Sequence, residues 1–215
     1  MKIEIWSDVV CPFCYIGKRH MEQALEQLPE IDAEIIWRSF ELDTEAPEHT
    51  DANINEVLAK KYGKDLDWAK QMNANMVKNA EDVGLDYNMD DIQPANSFKA
   101  HQLLHLAKEN GLQDEMKEAL LAAYFTEGKL ISDSDTLVKI AEGVGLDARE
   151  AASVLEEETY KSAVRQDEHV ARQIGIQGVP FFYINEKYGL SGAQPVKVFK
   201  DAFQQIESGN VATEQ

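Results

Sequence analysis

The sequence predicts an α/β fold interrupted by a large all-helical insertion. Three observations carry that expectation. The first 40 residues read strand–helix–strand, the next stretch of roughly 110 residues has helical periodicity and no strand signal, and the C-terminal part returns to helix–strand–strand–helix.

The elements follow in order. Ile3, Ile5 and Ser7 alternate with Lys2, Glu4 and Trp6, the period-two pattern of a strand over Lys2–Ser7. Pro12 then suits the first position of a helix, where its missing N–H would have had no partner. Met21, Ala24, Leu25 and Leu28 continue a helical stripe that Pro29 ends, and an Ile- and aromatic-rich strand follows at 33–40. Two strands joined through a helix call for a parallel pair with a right-handed crossover. Helices are predicted at 53–62, 66–83, 96–110, 112–126, 133–144 and 148–157. Asn96, Ser132 or Asp133, and Asp147 are offered as N-caps, and Gly84, Gly111, Gly128 and Gly145 as terminators. A helix at 159–174, strands at 181–184 and 188–191, and a helix at 195–207 close the chain, with the tail after Ser208 expected to fray. The expected division is one domain from residues 1–43 and 159–208, with an inserted helical domain at 44–158.

Composition narrows the function. The chain of 215 residues has 21 Lys plus Arg against 39 Asp plus Glu, a formal net charge of -18. A surface so anionic repels phosphate backbones and anionic lipid, so neither a nucleic acid nor a membrane is expected as partner. No run of 18 apolar residues is present, and no basic region followed by an apolar stretch opens the sequence. A cytoplasmic location is the expectation.

The two cysteines are Cys11 and Cys14. A disulfide across three residues closes too small a loop to stabilise a fold much, so in a reducing cytosol the pair is read as catalytic or metal-binding. Only a thiolate exchanges disulfides, and the start of a helix favours an anion through its unpaired N–H groups and its dipole. Spacing assigns the roles: Cys11 as an exposed nucleophile, Cys14 one turn on as the resolving thiol. Between them, Pro12 and Phe13 tune the pair and are counted with the substrate-binding residues. Phe13 offers neither donor nor charge, so the thiolate is less stabilised than beside a His and the disulfide less oxidising. The pair is therefore expected to rest mostly reduced at a cytosolic glutathione poise.

With Trp6-Ser7-Asp8, Cys11-Pro12-Phe13-Cys14, Phe40-Glu41-Leu42, Gly178-Val179-Pro180-Phe181-Phe182 and Ser191-Gly192-Ala193-Gln194, the chain resembles the DsbA-like branch of the thioredoxin superfamily, especially its FrnE-like members. The resemblance runs over essentially the whole chain. It implies a thioredoxin-like fold carrying the insertion, a cis Pro180 facing the cysteines, and a Val179 backbone that hydrogen-bonds an extended substrate. It also implies no tightly bound cofactor, with glutathione a candidate co-substrate. Secreted members commonly carry His in place of Phe13, a departure that argues against a dedicated strong oxidant.

Other readings were weighed. A glutathione-dependent isomerase or transferase of the 2-hydroxychromene-2-carboxylate isomerase or kappa-class type shares the architecture, typically with Ser where this chain has Cys11. A third reading is a metal-responsive or holdase-like protein. Cys11, Cys14, His101 and His105 are a legitimate zinc ligand set. Against it, Ala100, Leu103, Leu104 and Ala107 make that helix a core element with the histidines on its flank, expected at the surface or rim, and no metal is expected. Asp8 is read as a turn residue in preference to a buried carboxylate, and Trp6, Trp37 and Phe40 as core.

Overall fold

The computed structural model describes residues 1–209, and the tail expected to fray lies, from residue 210 on, outside them. Strands β1 (Lys2–Ser7) and β2 (Glu34–Ser39) are parallel and joined through α1 (Pro12–Glu26). Helices α2 (Ile54–Tyr62), α3 (Leu66–Glu81), α4 (Phe98–Glu109), α5 (Gln113–Phe125), α6 (Ser134–Gly143), α7 (Ala148–Glu157) and α8 (Lys161–Gln173) follow without an intervening strand. The chain then returns through β3 (Phe181–Ile184), β4 (Tyr188–Ser191) and α9 (Val196–Glu207). The sheet order is β2-β1-β3-β4, with β3 antiparallel to both β1 and β4. This is a thioredoxin-like fold with a large helical insertion between β2 and β3.

The period-two pattern of β1 sorts its side chains onto two faces. Ile3 and Ile5 pack with Met21, Ala24, Phe182, Phe199 and Phe203, between the sheet and α1 with α9. Trp6 points the other way, into a small cluster with Ala171 and Ile176 beneath α8, and its indole N–H donates to the Asp167 carbonyl at 2.9 Å. The largest core belongs to the insertion, but Val9, Tyr15 and Ile16 join it, so the start of α1 is wedged between sheet and helical block.

Helix ends follow local chemistry. Asn53 and Glu56 form a reciprocal capping box, and Asp65, Asp133 and Asp147 each accept first-turn N–H groups. Asn96 departs from expectation. Helix α4 begins at Phe98, with Ser97 at the cap position, and Asn96 Oδ1 accepts the Phe98 N–H at 2.8 Å from just outside the helix.

Candidate active site

Cys11 is the N-cap of α1 and Pro12 its first residue, so Cys14 lies one turn in. Both cysteines are free thiols. The expectation of an exposed Cys11 is corrected: it is only 3% exposed. Two contacts explain this. Its thiol donates to the Val179 carbonyl at 3.6 Å, and Tyr87, from the insertion, donates its hydroxyl to the Pro12 carbonyl at 2.7 Å beside it. Phe13, by contrast, is 45% exposed and forms an apolar rim at the mouth of the site.

The Val179–Pro180 peptide bond is cis. Pro180 sits against α1 because position 17 is glycine: a Cβ there would lie 3.0 Å from Pro180 Cγ and 3.3 Å from the Phe182 ring. Among the described residues, the Val179 N–H has no backbone acceptor. The loop therefore presents a carbonyl to Cys11.

Behind the cysteines, the structure corrects two readings. Asp8 is not a plain turn residue but a fully buried carboxylate. It accepts the Leu42 N–H at 2.7 Å and lies 3.3 Å from His101 Nε2. Burial alone would raise its pKa, but His101, Leu42 and Ser97 hold it below the usual carboxylate value. His101 and His105 are likewise buried and not at the rim. They serve separate partners: His101 faces Asp8, while His105 Nε2 lies 3.1 Å from Ser39 Oγ and 3.4 Å from Asp167. Among the described residues, no three His, Cys, Asp or Glu side chains gather as a metal site.

The sulfurs titrate as a pair, sharing one proton. Burial opposes any charge on Cys14, but a hydrogen bond from Cys11, the charge of Lys117 and Ser7 bring it below the ordinary thiol value. Cys11 is pushed well up, because it holds the proton for Cys14 and because a second buried anion beside the first is costly. Burial resists a second negative charge at the pair, so one sulfur ionises at the other's expense. Lys117 was missed altogether. It stands on α5 with no exposed surface, and burial lowers its pKa to about 8. Its signal in the sequence was faint: a lysine in an apolar helical stripe, at i+4 from Gln113 and between Met116 and Leu120.

A model of the DSBA-like thioredoxin domain matches residues 2–204. The uncharacterized protein YwbO of Bacillus subtilis is 32% identical over 202 residues, covering 93% of this chain and 94% of its own. The crystal structure of a probable DsbA oxidoreductase from Streptomyces coelicolor superposes with a TM-score of 0.93 at 38% identity, over 100% of this chain and 93% of that one. The cytosolic disulfide reductase DsbM from Pseudomonas aeruginosa, solved with GSH, shares the fold at 14% identity and a TM-score of 0.67, over 96% and 100% of the two chains. A helix-opening cysteine pair on a thioredoxin-like sheet and a family match spanning nearly every residue agree: this chain belongs to the DSBA-like thioredoxin family of thiol–disulfide oxidoreductases.

Proposed function

We propose that the chain is a cytoplasmic dithiol–disulfide oxidoreductase or isomerase of the FrnE-like branch, working through Cys11 and Cys14 on protein or small-molecule disulfides. The observation that carries this reading is the position of the Cys11 sulfur, at the first turn of α1 and against the Val179 carbonyl. A substrate strand laid along Val179 would bring its own disulfide to that sulfur. Pro12, Phe13 and Pro180 line the approach, and the exposed ring of Phe13 suits an apolar segment.

In the reductive direction Cys11 attacks as thiolate. A Cys11–substrate bond forms, the substrate disulfide breaks, and its electron pair leaves on the second substrate sulfur, which takes a proton from water. Cys14 then attacks Cys11 Sγ. The Cys11–Cys14 bond forms, the Cys11–substrate bond breaks, and the product leaves reduced. Two molecules of glutathione would restore the dithiol, becoming glutathione disulfide. The GSH-bound DsbM, which shares this fold, supports glutathione as co-substrate, and the proposal calls for no tightly bound cofactor. The pair is placed mostly reduced at a cytosolic poise because Phe13 lends the thiolate no stabilisation.

The test is the Cys14→Ser protein incubated with scrambled ribonuclease and with insulin. It should accumulate a mixed disulfide through Cys11, visible by mass spectrometry, and lose turnover. Turnover retained without Cys14 would refute the dithiol cycle and favour glutathione-dependent isomerase or transferase chemistry.

A further inference from the structure

Lysine is almost never fully buried without a partner, because each ammonium removed from water must recover its lost hydration. Lys117 is such a case: among the described residues its Nζ meets no hydrogen-bond acceptor. The neighbouring Lys18 shows what ordinary compensation looks like. It too is buried, yet its Nζ is paired with Glu22, with Glu118 at 3.0 Å and with Asp114 at 3.3 Å. Those carboxylates are thereby taken.

Lys117 is held at its depth by the start of α5. Gln113, one turn earlier on the same face, clamps the Trp37 backbone with two hydrogen bonds, accepting from its N–H at 3.0 Å and donating to its carbonyl at 2.9 Å. Asp114 accepts from the Trp37 indole at 2.8 Å. The ammonium then lies 5.3 Å from the centre of the Trp37 ring. A ring face attracts a cation but does not accept three N–H bonds. Lys18 of α1 pairs with Asp114 and Glu118, which bracket Lys117 in α5, so this stretch of α5 lies against the helix that opens with Cys11 and Cys14. The negative groups that share the ammonium's field there are Cys14, Cys11 and Asp8, with Lys18 opposing them. His101 of α4 faces Asp8 and competes for that carboxylate.

We propose that Lys117 is the counter-charge of the resolving cysteine, a positioning residue that the helical insertion carries into the core to set how readily Cys14 ionises. It makes and breaks no bond itself. When Cys14 attacks the Cys11–substrate disulfide, it does so as thiolate, and a cation facing it raises the fraction in that form. The inference rests on the dithiol cycle proposed above and gives the insertion a direct part in that cycle. The reduced state, whose shared thiolate lies in the field of Lys117, gains from the ammonium, whereas the disulfide holds no such charge. Lys117 therefore makes the disulfide the more readily reduced.

Lys117→Met keeps the length and removes the charge. In that protein, thiolate absorbance at 240 nm should titrate about one pH unit higher than in wild type. At a fixed glutathione ratio the dithiol/disulfide equilibrium should move about tenfold toward disulfide, about 30 mV. A folded Lys117→Met protein that titrates and equilibrates as wild type does would overturn the proposal. If that variant fails to fold, the Cys11→Ser protein decides, since Cys14 is then the lone thiol. Half-ionisation below about 8.5 supports a facing cation, and a value at or above it overturns one. Wild type that never cycles its cysteines would instead sink the proposed function. The two failures are separable, because titration needs no substrate.

Discussion

Two buried aspartates, Asp8 and Asp167, each face a histidine of α4, and the histidines are one turn apart. The pairs look alike and behave differently. Asp167 is fully engaged: it accepts the Ser39 N–H at 2.9 Å and Arg38 Nη1 at 3.0 Å and lies near His105, while Arg38 also binds Glu4. Its charge is met on the spot by a guanidinium, and the cluster fastens α4 and α8 to β2. Asp8 faces His101 and accepts the Val10 and Leu42 N–H groups, but it has no guanidinium on it; Lys117 shares its field and, among the described residues, touches no acceptor. Among the described residues, His101 Nδ1 and Glu41 Oε1 are also without hydrogen-bond partners. A satisfied polar cluster is a fastening; a buried ammonium that meets no acceptor among the described residues costs stability that a fastening would not require.

Four substitutions would break or sharpen that contrast. Asp167→Ala takes one of two carboxylates from Arg38 and leaves the Ser39 N–H without its acceptor, and should cost about 1–3 kcal/mol in urea unfolding while leaving the thiolate titration of a still-folded sample unmoved. A shift of that titration would erase the distinction. Lys117→Met should stabilise the protein at pH 7 by on the order of 3 kcal/mol, because the folded lysine at about 8 lies below its unfolded value. The sign is that of a depressed base. The cost is fully present below about pH 8 and vanishes as the pH rises past about 10.4, so unfolding curves of the two proteins should converge between those limits.

Asp8→Asn should move the sulfurs the opposite way from Lys117→Met. Removing a buried anion that opposes ionisation of the pair should lower its joint thiolate titration by up to roughly one pH unit, about 1.4 kcal/mol, read again at 240 nm. Equal and same-signed effects of the two substitutions would show that neither acts through charge. Phe13→His, at the exposed rim, should have the smallest effect, making the disulfide more oxidising by about 20 mV, roughly 1 kcal/mol, in glutathione redox titration. Acid sharpens the fastening side. Asp167 has a depressed folded pKa, because burial is outweighed by His105, Ser39 and Arg38, so its contribution is present above the usual carboxylate value and lost as pH falls through the depressed one.

Much of the scaffold was legible because it rests on local signals. Alternation located β1, Pro12 and the strand before it located the cysteine helix, and Asp133 and Asp147 announced two helices through caps that act within three residues. The pair Cys11 and Cys14 was readable for the same reason, its spacing being short, whereas the cis Pro180 of the Gly178-Val179-Pro180 loop was expected from the family resemblance. Asn96 marked its helix too, though one residue further out than a cap would sit.

What the sequence by itself determined is thus the order of elements, the interruption by helices and the thiol pair. The tertiary structure alone decided which polar residues lose their water. Asp8 and His101 are 93 positions apart, Cys14 and Lys117 are 103 apart, and nothing in either neighbourhood announces the other. Burial is a property of packing, not of residue type, and it is burial that turns an ordinary lysine into a charge felt by a sulfur. Glycine at 17 belongs to the same class. Its meaning appeared only when Pro180 was laid against it.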